Sequence, residues 1–231
     1  MTAADLMRAR QTPLRMVIFD CDGVLVDSEE ISNRLVAEEV SALGWPMATA
    51  DATRLFIGST LDVIEVQVRD RLGSLPSGWR SRVMARIVHA MATEAEAIPG
   101  GIEALHAVDE IGLPWRIASN SSHPELRSKF DRLAVADLVR GRVHSHTDVG
   151  VGKPAPDLFL HAAALEGVAP ADCLVVEDSV PGATAAQAAG MPCLGLDRFG
   201  DGAAMVAVGA GIFHDMRELP ALLALARRVA A

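Results

Sequence analysis

Met16-Val17-Ile18-Phe19-Asp20-Cys21-Asp22-Gly23-Val24-Leu25-Val26-Asp27-Ser28-Glu29 is the stretch that decides the fold. Four apolar residues end in two carboxylates two positions apart, the pattern of a buried strand that stops at an acidic turn. At the carboxyl end of a strand the chain bends, so both acids can reach the crevice where open α/β sheets bind ligands. Two unit charges about 4 Å apart repel by about 4 kcal/mol at an effective dielectric near 20, which disfavours an acid pair without a cation. A divalent cation removes that penalty, and an all-oxygen donor set suits magnesium.

Working outward, further short apolar runs lie at 115–118, 173–176 and 192–196, and 138–144 adds a more charged one. Helical segments are expected at 99–111, 124–133, 155–165, 181–189 and 215–229, several with Pro near the first turn. This alternation predicts a parallel sheet and an α/β, Rossmann-like core. Residues 28–97 break it, because they hold no strand pattern and predict helices near 28–43, 50–56, 60–72 and 77–96. Such a stretch is too long for a loop. It is expected to be an all-helical cap domain inserted into a core formed by 1–27 and 98–231, closing over the site as a lid. Residues 1–13 read as a frayed tail.

The 231-residue chain has a formal net charge of −9, which opposes nonspecific binding to nucleic acid or anionic membranes. It contains no run of 18 apolar residues and no signal-peptide pattern, so a protein of the cytoplasm, off the membrane, is expected. Cys21, Cys173 and Cys193 form no CxxC pair and read as small buried hydrophobes in a reducing compartment. Oligomeric state is not legible, and a monomer is the expectation.

Three more chemistry-bearing clusters follow predicted strands. Ser119-Asn120-Ser121-Ser122 opens a helix, Lys153 stands in Gly152-Lys153-Pro154, and Glu177-Asp178 is a second acid pair. Together they offer carboxylates for a metal, an ammonium and a hydroxyl for a phosphate, and a carboxylate able to attack phosphorus, which points to phosphoryl transfer.

With these four motifs in order, the chain resembles the haloacid dehalogenase superfamily, in the helical-cap subfamily that includes β-phosphoglucomutase and phosphogluconate phosphatase. The resemblance implies that Asp20 is the nucleophile that forms an aspartyl phosphate and also holds magnesium. It implies that Asp22 is the general acid and base, lending its backbone carbonyl to the metal. Ser119 and Lys153 would bind phosphate oxygens with Asn120 nearby. Asp178 would complete the metal site, and Glu177 would act as a ligand through water or as a support. The turn 56–61 resembles the cap loop that dips into the site, with Gly58 allowing close approach and Ser59 or Thr60 offering hydroxyls. Asp27 and Ser28 are expected in structural roles, Ser28 as a helix N-cap. Arg34 and Arg54 are candidates for a substrate carboxylate.

Asp22 favours phosphate esters over carbon–halogen bonds, since dehalogenases resembling this pattern lack it. The resulting expectation is a magnesium-dependent phosphatase of a small phosphomonoester, a sugar or sugar-acid phosphate. A sugar-phosphate mutase is the first alternative, but Ile57 and Leu61 stand where the mutase loop resembles a charged pattern, and Ile31-Ser32-Asn33 replaces its His region. A receiver-type phosphoacceptor domain is the second, opposed by motif order and by the insertion. A nucleotide-binding loop at 147–154 is set aside because Thr147 and Pro154 occupy positions that need Gly and Ser or Thr. His144 and His146 have the spacing to share one strand face and are expected as a half-buried or solvated pair.

Overall fold

The computed structural model describes residues 1–56 and 58–227. Its strands are β1 (Met16–Phe19), β2 (Val26–Asp27), β3 (Glu96–Ala97), β4 (Trp115–Ser119), β5 (Val143–Ser145), β6 (Cys173–Glu177), β7 (Cys193–Leu196) and β8 (Gly211–Phe213). Six of them form a parallel sheet in the order β5-β4-β1-β6-β7-β8. Alternation along β1 sends Val17 and Phe19 into one apolar cluster and Met16 and Ile18 into the other, so both faces of the sheet are covered. This is the α/β, Rossmann-like core that the sequence predicts. The acid-bearing strands β1 and β6 lie side by side at its centre.

The helices Glu29–Ala42, Thr49–Phe56, Leu61–Leu72 and Trp79–Glu94 fall between β2 and β3. Those two strands pair antiparallel, Val26 with Ala97, so the outgoing and returning chains run together. Helix Trp79–Glu94 packs against His123–Arg132, which carries one wall of the site. No helix among the described residues is long and apolar enough to cross a membrane.

Four expectations are corrected. Residues 1–13 are not a frayed tail: Ala3–Ala9 is a helix with a Thr2–Asp5 capping box, and its Ala3 and Met7 are buried. It packs against β8 and the helix Leu219–Arg227, covering an edge of the sheet that would otherwise expose unpaired backbone. Within 138–144 the chain first makes the helical turn Ala136–Val139, and the strand is Val143–Ser145. His144 and His146 therefore do not share a strand face, since His146 opens the next helix. The final expected helix splits into a 3-10 turn, Met216–Glu218, and Leu219–Arg227; residues 228 and 229 lie outside the described residues.

Candidate active site

Asp20 follows β1, and its N–H donates to the Val176 carbonyl of β6 at 2.8 Å, which fixes it beside the second acid pair. Lys153 reaches both from the loop after β5: Nζ donates to Asp20 Oδ1 at 2.6 Å and to Glu177 Oε1 at 2.7 Å. All three residues are buried. The other Glu177 oxygen accepts the Asp178 and Ser179 N–H groups and the Ser179 hydroxyl, each at 2.9 Å. Glu177 thus anchors the lysine and the turn after β6 at once.

The carboxylates of Asp20, Glu177 and Asp178 offer oxygens within 4.8 Å of one another. Asp178 and Asp20 Oδ2 accept no hydrogen bond from any described residue, and the donor set is all oxygen, so the residues fit a hard cation such as magnesium. Backbone is moulded to these acids. Gly23 has φ +73°, and a Cβ there would lie 1.8 Å from Asp178 Oδ2; at Gly182 it would lie 1.7 Å from Glu177 Oε1. Without a cation, burial pushes Asp20 up to about 8 against the pull of Lys153, with Glu177 and Asp22 adding to the rise. Burial and Glu177 likewise hold Asp178 well above the usual carboxylate range.

Asp22 is held quite differently. Lys129 Nζ donates to its Oδ1 at 2.5 Å, and Ser119 and Ser121 hydroxyls donate to its Oδ2 at 3.1 and 2.9 Å. Ser28 also donates to Oδ1. Burial alone would raise Asp22, but the charge and hydrogen bond of Lys129 with the Ser28 and Ser121 bonds outweigh it, holding the carboxyl near 2. Ser28 occupies the expected N-cap position of helix Glu29–Ala42, but its hydroxyl is spent on Asp22 and makes no cap bond. Asp27 pairs with Arg198 at 3.1 Å.

Asn120 ties two loops together. Its amide donates to the carbonyls of Gly58 at 2.8 Å and Lys153 at 3.1 Å, and its oxygen accepts the Lys153 N–H at 2.8 Å. Gly58 and Ser59 line the cavity with Asp20, Asp22, Asn120 and Lys153, whereas Ser119 lies behind its wall. Thr60 is also away from the wall, its hydroxyl accepting the Val63 N–H as the cap of helix Leu61–Leu72. Ile57, on which the mutase comparison partly rests, lies outside the described residues.

Neither arginine expected at a substrate carboxylate reaches the cavity. Arg34 pairs with Glu38 and Glu94, and Arg54 with Asp51. Arg80 lines it instead, paired with Asp62 at 2.7 Å, and His146 is 3.6 Å from the same Asp62. His144 stays behind, its pKa pulled to about 4 by burial and Arg116. Lys129 is the largest omission from the sequence reading. A signal for it exists: Ser121, Glu125 and Lys129 recur every four residues, one stripe of a helix.

A family model for haloacid dehalogenase-like hydrolases matches residues 14–190, most of the chain. The chain belongs to that family. It is 32% identical to hexitol phosphatase A of Escherichia coli strain K12 over 75% of this chain and 78% of that protein. It is 29% identical to the 6-phosphogluconate phosphatase of the same organism, over 77% and 80%. It also matches the Arabidopsis thaliana protein SUPPRESSOR OF QUENCHING 1, chloroplastic, at 29% identity over 77% of this chain, spanning 17% of that protein's length. Among solved structures, a haloacid dehalogenase family hydrolase from Deinococcus radiodurans R1 with bound phosphate and sodium superposes with a TM-score of 0.74 at 32% identity. That match covers 93% of this chain and 96% of the other.

Proposed function

We propose that this family member is a magnesium-dependent phosphatase that hydrolyses a small phosphomonoester, a sugar or sugar-acid phosphate, through an aspartyl phosphate on Asp20. The observation that carries this reading is the buried Asp20–Lys153–Glu177 cluster with Asp178 open beside it. One Lys153 hydrogen meets no oxygen acceptor among the described residues, and the side chain lines the cavity, so a phosphoryl oxygen can take that hydrogen. Asp20 attacks phosphorus as the bond to the leaving oxygen breaks, and Asp22, which takes up a proton from solvent as the negatively charged phosphate enters beside it, supplies that oxygen's proton. Asp22 then takes a proton from the water that attacks the aspartyl phosphate, which frees phosphate and restores Asp20. Asp20, Asp178 and the Asp22 carbonyl, with Glu177, would hold magnesium, which when bound supplies positive charge against the incoming phosphate.

The activities named for these relatives favour a sugar or sugar-acid body. Ser32, Asn33 and Ser59 on the cavity wall offer partners for hydroxyls, and Phe56 and Ile64 offer an apolar face. In this reading residues 28–97 are a cap whose closure excludes bulk water, and the buried free cysteines suit a reducing cytoplasm.

The test is phosphate release from sugar phosphates, phosphogluconate, phosphoglycolate and nucleoside monophosphates, with magnesium or with excess EDTA. Activity with magnesium that EDTA abolishes is expected, and full activity in EDTA overturns the metal assignment. Conversion of glucose 1-phosphate to glucose 6-phosphate would make the chain a mutase. Stable labelling without turnover by p-nitrophenyl phosphate would make it a phosphoacceptor.

Magnesium affinity is expected to depend on pH. Metal binding requires Asp20 deprotonated, and Asp20 is held up to about 8, so protons compete with the metal below that value. Calorimetric titrations at pH 8.5 and 6.5 should show weaker binding at the lower pH, approaching about tenfold per unit well below the pKa. Equal affinity at both would refute a protonated Asp20 in the metal-free site.

A further inference from the structure

We propose that Lys129 is a positioning residue of the reaction, which aims the Asp22 carboxylate from the helix His123–Arg132 without touching substrate. The inference rests on Asp22 as the acid and base of the proposed phosphatase.

Hydrogen-bond accounting separates the two buried lysines. An ammonium has three N–H donors. Lys129 spends all three, on Asp22 Oδ1 at 2.5 Å, Glu125 Oε1 at 2.8 Å and Ser121 Oγ at 2.8 Å. Its side chain is 0% exposed and does not line the cavity. Lys153 spends two on carboxylates and lines the cavity. Lys153 can therefore bind phosphate, and Lys129 can act only through the side chains it holds, Asp22, Glu125 and Ser121.

The same accounting shows what the network does for Asp22. A carboxylate has about four lone-pair sites. Lys129, Ser28, Ser119 and Ser121 fill all four when Ser121 donates to Asp22. Ser121 has one proton and two acids within 2.9 Å, Asp22 and Glu125. When that proton turns to Glu125, Asp22 gains a lone pair for a reacting proton while Lys129 still fixes its other oxygen. Glu125 thus serves as the alternative acceptor, and Lys129 joins the two acids.

The test compares Lys129→Met, which keeps the stem and removes the donors, with wild type on an alkyl phosphate that wild type hydrolyses and on p-nitrophenyl phosphate. An alkoxide leaving group needs Asp22's proton and nitrophenolate does not. The expected result is a kcat on the alkyl ester lowered about 10²-fold or more with KM within about threefold. Single-turnover release of nitrophenolate should remain within about fivefold of wild type. Equal loss on both substrates, an unchanged alkyl kcat, or a raised KM overturns the assignment. If Lys129→Met does not fold, Lys129→Arg carries the same comparison, since it keeps the charge and changes the donor geometry. Failure of wild type itself to hydrolyse any phosphomonoester would refute the phosphatase reading instead.

Discussion

Asp20→Asn is expected to lower phosphate release by about 10⁴-fold or more, because an amide cannot attack phosphorus and no other described carboxylate is placed to replace it. The substitution keeps the side chain's shape and leaves Lys153 its bond to Glu177, so the fold should persist. Stability separates loss of the nucleophile from misfolding. The folded pKa of Asp20, about 8, lies above its ordinary 3.8, so its contribution to stability is complete below about pH 4 and is lost as pH rises through 8. Asn resembles the protonated form. At pH 9 without metal the variant should therefore melt no lower than wild type, while magnesium should stabilise it less. Retention of a tenth of wild-type turnover would remove Asp20 from the role of nucleophile.

Lys153→Met should damage both catalysis and stability. Its third hydrogen, which meets no oxygen acceptor among the described residues, is the donor available to a phosphoryl oxygen, and loss of one such donor costs about 10²–10³ in turnover. The ammonium also lies between two buried carboxylates, and removing one partner of a buried pair costs about 3–5 kcal/mol. For a chain of this size that lowers the melting temperature on the order of 10 °C. Magnesium should recover part of the stability and little of the turnover, because a metal at the acids offsets charge without replacing a donor to phosphate. Thermal melts with and without magnesium, beside initial rates, check both halves. A variant with wild-type melting would show that Lys153 does not neutralise this cluster.

The conformational reason that these acids sit so close is also testable by inspection of the chain. Gly23 and Gly182 carry no Cβ where Asp178 and Glu177 approach to 1.8 and 1.7 Å of its ideal position. Gly182 lies in the first turn of the helix that follows Glu177, a local approach, whereas the reason for Gly23 is visible only where its turn meets Asp178, distant in sequence.

Legibility followed the range of the interaction. Asp20 and Glu177 could be found because they stand at the ends of apolar strands, and parallel α/β topology sends such ends to one edge of the sheet. Lys153 lies beyond the helical turn that follows β5 and was found from its Gly152-Lys153-Pro154 setting ahead of a helix. Ser28 looked like a cap because capping is a local rule, yet a buried anion outcompeted the helix N-terminus for its hydroxyl. Arg80 and Arg34 both lie on helices between β2 and β3, and which of them faces the cavity depends on how those helices pack. The amino-terminal helix was missed because it is only seven residues long, and the burial of its Ala3 and Met7 needs β8 and Leu219–Arg227 as partners.

By itself the sequence determined the four adjacent strands β4, β1, β6 and β7, the order of the four motifs and the place where the chain leaves for the helices at 28–97. These depend on alternation, strand ends and motif order, all short-range in the chain. Tertiary structure alone decided that Lys129, 107 positions from Asp22, is its counter-ion. A lysine on a polar helix stripe ordinarily faces water, and only packing of that helix over the acidic turn makes it cheaper to pair than to leave the buried Glu125 and half-buried Asp22 carboxylates without a cation.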